Sequence, residues 1–331
     1  MNIESSYQVA ESIMRKHASS FYAAFGKIER VKFLDIAAVY AFCRYADDLA
    51  DTKSNNKVIK LQLLNMLEEE VKSLYEGGRQ EEQYKKYNWW LAFENAVRIR
   101  KIPLEALLEQ IDGQRRDINF KIIEDKEDLI LYCKKVAGTV GLMLAPMLRG
   151  EKAYGQYESI CESLGIAMQI TNILRDIGED LRDQNRIYIP KTFMKKYSVT
   201  RKDLEELSVL PNALTKKHLF VKSDFKPADN IVNLWEEMAL LSKHYYDKFY
   251  KHLYMFSFDA TFPVVAAAVY YQAILEEVRK NNYNCFTKRC YTNFKRKRDL
   301  LKTVSGYINK LKSENFNYNE ANAKNERLTD S

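Results

Sequence analysis

Glycine and proline are scarce in this chain, with 11 and 6 among 331 residues. So few turn formers point to long helices joined by few tight turns. Cysteine is scarce as well. The five, Cys43, Cys133, Cys161, Cys285 and Cys290, are odd in number and form no C-x-x-C pair, which argues against both a disulfide framework and a zinc site. No run of 18 apolar residues occurs, and the longest apolar stretch, around 262–271, is too short to span a bilayer. Where a signal peptide needs an apolar core, there stand Glu4, Glu11 and His17. A reduced, cytoplasmic protein is therefore expected. There is no G-x-G-x-x-G dinucleotide fingerprint and no D-x-D-x-D-G calcium loop.

What is present fits a globular chain. Hydrophobic residues make up 46% and charged residues 29%, and the length suffices for one large domain or two ordinary ones. The net charge of +7 is unevenly spread. Lys288, Arg289, Lys295, Arg296, Lys297, Arg298 and Lys302 cluster near the C-terminal end. Such a cluster is either a solvated helix face or a surface that attracts anionic lipid or a diphosphate. No nucleic-acid module accompanies it, so no nucleic-acid partner is expected.

The periodicity predicts helices over 4–25 (broken near Gly26), 31–52, 57–76, 89–100, 103–117, 126–148, 154–183, 200–207, 231–254, 263–280 and 286–312. Residues 186–190 read as extended ahead of Pro190, 79–87 as a loop or frayed helix, and 208–230 as the longest loop. No alternating strand pattern, internal repeat or linker is seen. The expectation is one all-α domain over 1–312, with a polar, disordered tail over 313–331. Gly138 and Gly141, three apart in an apolar helix, serve either close helix packing or room for a ligand chain.

Two acidic helix faces carry the chemistry. On a helical wheel Gln169, Asn172, Asp176 and Asp180 fall within an arc of roughly 80°. Tyr40, Arg44, Asp47 and Asp51 share one of roughly 60°. In each face two aspartates stand at i,i+4, where like charges weaken a helix by a few tenths of a kcal/mol. A single such pair is common on solvated helices. Two pairs, each in phase with uncharged polar or aromatic residues, fit two helices that face one space. Four carboxylates turned inward need cations. Mg²⁺ suits them, because it takes oxygen ligands, keeps waters and bridges to phosphate oxygens. Metal-bound diphosphate is a good leaving group. Its departure from an allylic carbon leaves a carbocation, which needs a dry pocket lined with aromatic faces. Tyr40, Phe21, Tyr132 and Tyr271 are candidates, although each also reads as core.

The segments His17-Ala18-Ser19-Ser20-Phe21, 40–51 with its Asp47-Asp48-Leu49-Ala50-Asp51, Val136-Ala137-Gly138-Thr139-Val140-Gly141 and 169–190 resemble the squalene/phytoene synthase family, over about residues 5–305 and in consistent order. Within it the bacterial dehydrosqualene and phytoene synthase branch is the most similar. The resemblance implies an all-α isoprenoid-synthase fold around a central cavity. It implies head-to-head (1′–1) condensation of two identical prenyl diphosphates through a cyclopropyl diphosphate.

By position, the resemblance assigns Mg²⁺ to Asp47, Asp51, Asp176, Asp180 and Asn172, with Asp48 as a further candidate. It pairs Arg44 and Arg296 with diphosphate and leaves Arg175 and Arg186 each as either a diphosphate or a carboxylate partner. His17, Ser20, Phe21, Tyr40, Tyr132, Gln169 and Tyr271 would line the substrate sites, with Arg44 and Tyr132 joining the aspartates as catalytic candidates. No reduced nicotinamide (NADPH) is expected. Two C15 farnesyl units would give dehydrosqualene (4,4′-diapophytoene), the first step of C30 carotenoid synthesis, and a downstream carotenoid desaturase would take it onward. Two C20 units would give phytoene; squalene formation and a non-catalytic helical scaffold are the remaining alternatives. Phe25, Leu142, Met143 and Leu164 are candidates to cap the shorter cavity. The insoluble product suggests peripheral contact with the inner face of the membrane. Two features depart from the pattern: 208–230 looks longer than in compact bacterial members, and Ala18 stands where some relatives carry Ser.

Overall fold

The fold is taken from a computed structural model, which describes residues 2–51, 56–78, 80–209 and 225–329, with side chains as far as Ser313 and excluding that of Asp51. The chain passes from α1 (Ile3–His17) and α2 (Ser19–Phe25) into α3 (Arg30–Asp51) and α4 (Lys57–Tyr75). Next come α5 (Glu81–Lys86), α6 (Trp90–Arg100) and α7 (Leu104–Ile118). Then α8 (Lys126–Cys133) continues through a π-helical segment (Lys134–Gly138) into α9 (Thr139–Leu148). The second half holds α10 (Tyr157–Gln184), α11 (Lys191–Lys196), α12 (Arg201–Leu207), α13 (Asp229–Tyr250), α14 (Phe258–Lys280) and α15 (Phe294–Thr329). No strand forms among the described residues; Arg149 and Phe256 make an isolated bridge.

Helix α10 organises the packing. Ile166, Ile170, Ile173, Ile177 and Leu181 recur every three or four residues and are buried, as the helical period requires. They join a core that includes Leu234, Trp235 and Met238 of α13 and Leu275 and Val278 of α14. Truncating one of these isoleucines to Ala would cost roughly 2–5 kcal/mol. The Trp235 indole donates to the Leu174 carbonyl at 3.2 Å, so α13 is pinned by direction as well as by burial. The polar stripe of α10 is left to face another way. Asn185 ends the helix in the left-handed region, φ 57°, which Asn tolerates.

Helix α9 runs antiparallel to α10 at very close range. A Cβ on Gly141 would lie 2.2 Å from the Cys161 carbonyl oxygen. Close packing is thus met at Gly141, which also lines the cavity described below.

Several local expectations change. Residues 4–25 form two helices, because the chain breaks at Ala18, φ −135° and ψ 56°. Helix α1 packs on α3 and α6 while α2 packs on α14, and one straight helix cannot serve both. The helix expected over 126–148 contains the π segment, which brings Val136 and Ala137 to the cavity described below. Short π insertions are common at functional sites. Helices α5 and α11 are too short to show a period. Of the expected loops, residues 52–55 and 210–224 lie outside the described residues. The backbone of 313–329, where a disordered tail is expected, continues α15.

By length and composition two helical stretches, Lys126–Leu148 and Phe258–Lys280, are apolar enough to cross a bilayer, which the search for an unbroken apolar run does not reveal. Both pack inside the bundle, and α14 is buried over most of its surface.

Candidate active site

A cavity of about 500 Å³ runs between α2, α3, α7, the α8–α9 helix, α10 and α14. That lies within the usual size of a small-molecule site. Its wall on α10 begins at Cys161 and Leu164, passes Met168, Gln169 and Asn172, and ends at Asp176, Asp180 and Gln184. At 1.5 Å per residue, Cys161 to Asp180 is roughly 28 Å. Antiparallel α9 adds Val140, Leu144 and Leu148, with Leu148 toward the Cys161 end. The cavity is thus graded: apolar where α9 ends, charged where α10 ends.

Both acidic faces reach it. Asp47 lies on the wall from α3, Asp176 and Asp180 from α10. Asp51 is the last residue of α3, one turn past Asp47, and its side chain is outside the described set. Arginines hold most of these acids. Arg44 pairs with Asp47 at 3.2 Å and also with Asp48, which is exposed. Arg175 Nε donates to Asp176 at 2.7 Å, and Arg289 reaches the same carboxylate and Glu179, each at 3.2 Å. Asp180 has no ion pair among the described residues. Burial, then Asp176, Glu179 and Asp117, push its carboxyl up to about 8.

Asp117, unremarked in the sequence, is the hub of a second cluster. It accepts from the Tyr132 hydroxyl at 3.2 Å and from Tyr188 at 3.0 Å, with Arg186 at 3.8 Å. The two tyrosine rings stack, with centroids 4.9 Å apart. Burial, then Asp117, hold the Tyr132 phenol well above its ordinary value, so it stays a neutral donor. Gln110, Gln114 and Asp117 all line the wall at i, i+4 and i+7 of α7, a polar stripe that a wheel would have shown. Arg289 stood out only as one of the basic cluster, with nothing local to set it apart from its neighbours.

His17, Phe21, Tyr40, Arg44, Tyr132, Gln169, Asn172, Arg175, Arg186 and Tyr271 also line the cavity, as the sequence suggested. Phe25, Leu164 and Gly141 do too. Others are not brought to the wall. Arg296 pairs with Glu277 of α14 at 3.1 Å, and Ser20 accepts from Lys297 at 2.7 Å. Glycine 138 packs on Glu162, Met143 is buried beside Cys43, and Leu142 packs partly buried against the core.

The donors suit a hard divalent cation. Among the described residues no three His, Cys, Asp or Glu side chains are preassembled around one point. An ion here would complete its shell with ligand oxygens and water, as Mg²⁺ does. Two groups await such a partner: the unpaired Asp180 carboxyl, and the buried Asn172 Oδ1, which accepts no hydrogen bond. An acidic and arginine-rich end joined to an apolar, aromatic tunnel is built for an amphiphile with an anionic head.

Such a helical bundle around a graded, acid-lined cavity defines a prenyltransferase of the isoprenoid-synthase fold. The squalene/phytoene synthase family model matches residues 14–296, and the chain belongs to that family. It is 30% identical over 302 residues to the 4,4′-diapophytoene synthase of Staphylococcus haemolyticus, covering 91% of this chain and 97% of the other. It is 27% identical to the 15-cis-phytoene synthase of Synechocystis, covering 88% and 81%. A crystal structure of a dehydrosqualene synthase with a ligand superposes with a TM-score of 0.80 at 31% identity, covering 93% and 98%. Enzymes of this family use a divalent metal with diphosphate substrates.

Proposed function

We propose that this protein condenses two molecules of farnesyl diphosphate head to head (1′–1), through a cyclopropyl diphosphate, into dehydrosqualene. The observation that carries the reading is the graded cavity: aspartates of both acidic helices line it together with Arg44, Arg175 and Arg289, and it is apolar where α9 ends. In this reading Arg44, Arg175 and Arg289 take the diphosphate oxygens they can reach once the aspartates have other partners. Mg²⁺ held by Asp47, Asp51, Asp176, Asp180 and Asn172 supplies charge stabilisation for the leaving diphosphate. The apolar tunnel keeps water from the allylic cation, and the rings of Phe21, Tyr40 and Tyr271 face it without a nucleophile stronger than a neutral phenol. Tyr132, held neutral and oriented by Asp117, adds a hydroxyl donor to the same wall.

The C15 choice is supported by similarity to a diapophytoene synthase along nearly its whole length and by Phe25 on the wall beside Phe21, their centroids 4.4 Å apart. The product would then feed C30 carotenoid synthesis by way of a desaturase. The enzyme would work in the cytoplasm, at the inner face of the membrane. Incubation with Mg²⁺ and each prenyl diphosphate, with and without reduced nicotinamide, tests this through product mass. A C30 polyene formed without nicotinamide is expected. A C40 product would replace it with phytoene synthesis, squalene formed only with nicotinamide would replace it with a reductive reaction, and no turnover would overturn it.

A further inference from the structure

The fold divides the basic cluster in two. Residues 288–302 hold seven cations and one carboxylate, Asp299. Three of the cations are engaged inward: Arg289 with Asp176, Arg296 with Glu277, and Lys297 with Ser20. The other four, Lys288, Lys295, Arg298 and Lys302, are exposed and have no carboxylate partner among the described residues. Between them stand large apolar side chains in water. Phe294 is 84% exposed and Tyr291 70%. On α15, Phe294, Leu301, Arg298, Lys302 and Lys295 occupy an arc of roughly 120°. Leu300 and Val304, on the other side, are buried.

A solvated basic face would keep the cations and dispense with the rings. Exposed Phe294 and Leu301 among unpaired cations on α15, with exposed Tyr291 just before it, are the pattern of a helix that lies in a membrane interface. Single-stranded RNA would also meet rings and cations, but it is held in a groove, and this face is the outside of a helix.

We propose that the segment from Lys288 through the first turns of α15 seats the protein on an anionic phospholipid bilayer. Phe294 and Tyr291 enter the boundary between headgroups and acyl chains, and Lys295, Arg298 and Lys302 meet lipid phosphates. The same segment carries Arg289 on the cavity wall, so the docking face and the reaction cavity share one stretch of chain. The inference deepens the proposed reading, since a hydrocarbon product must pass into lipid, but its grounds are the surface itself.

Co-sedimentation of the full chain with vesicles tests it. Vesicles of phosphatidylglycerol and phosphatidylcholine should bind the protein, vesicles of phosphatidylcholine alone should not, and salt well above physiological strength should weaken binding. These arms use the unmodified protein. Each cation at the surface is worth roughly fivefold in binding. Reversing three of them (Lys295→Glu, Arg298→Glu, Lys302→Glu) should therefore cost at least about a hundredfold. Tyr291→Ala with Phe294→Ala should weaken binding several-fold and leave its salt dependence. Both variants should melt with the wild type. Equal binding to neutral vesicles, indifference to the triple reversal, or capture of a short RNA in place of the vesicles would overturn the proposal. Turnover of farnesyl diphosphate in detergent separates the two readings: vesicle binding without turnover sinks the condensation, and turnover without vesicle binding sinks the docking face.

Discussion

Asp180 shows what the charged end of the cavity does when no cation shares it. Its carboxyl stands at about 8 in the folded protein, against 3.8 for the free side chain. Between those values the folded state keeps a proton that the unfolded chain has lost. The stability this contributes is full at low pH and disappears as pH rises toward about 8. With chelator present, the thermal midpoint of the wild type should therefore fall across this range more steeply than that of Asp180→Asn. The variant should be several degrees more stable near pH 8 and without turnover; parallel curves would refute the assignment. Tyr132 permits a second test at the same scale. Tyr132→Phe keeps the stacking on Tyr188 and loses the bond to Asp117. A hydrogen bond to a carboxylate contributes about 1.5 kcal/mol to stability, so the thermal midpoint should fall by a few degrees, and kcat should fall as well if the hydroxyl meets the reacting atoms. An unchanged kcat would make Tyr132 a wall residue only.

Between helices, the loop that follows α14 matters more than its sequence suggests. It lies on α10 at Gly178, where an added Cβ would come 1.8 Å from the Phe286 carbonyl oxygen. The Gly178 amide donates to the Cys285 carbonyl at 3.2 Å, and Arg182 donates to that of Phe286. This clamp is what delivers Arg289 to Asp176. Gly178→Ala should cost about 3 kcal/mol, because backbone rather than a flexible side chain must move. The thermal midpoint should fall, and turnover of the remaining folded protein should fall with it as Arg289 is displaced. Retained stability would show that the loop can shift freely. Helix α10 itself was legible from its isoleucines and aspartates, since both lie on one period. The clamp was not, because a glycine in a helix does not say what approaches it.

Across the whole molecule, metal and diphosphate should act together. The described acids are already neutralised in part by arginine, so neither ligand alone replaces that network. Inorganic diphosphate with Mg²⁺ at about a hundred times the dissociation constant should add about 2.7 kcal/mol, a few degrees in thermal midpoint. Each alone should add much less, and Asp176→Ala should remove the joint effect. Additive shifts from the separate ligands would argue against a shared site. The buried isoleucines of α10 pack on α13 and α14, so chelation should leave the fold intact while stopping turnover.

The sequence alone determined the helices, their apolar stripes and the two acidic faces, because a helical period is local and a wheel is enough to read it. It also carried the family, through motifs that lie within single helices. The tertiary structure alone decided which partners those faces have. It set Arg289 on Asp176 across more than a hundred residues, made Asp117 the partner of two tyrosines, and turned Arg296 away to Glu277. It also split one run of basic residues into an inward set and an outward set. Hydrogen bonds and ion pairs need their groups about 3 Å apart, and only the packing of distant helices brings such groups that close.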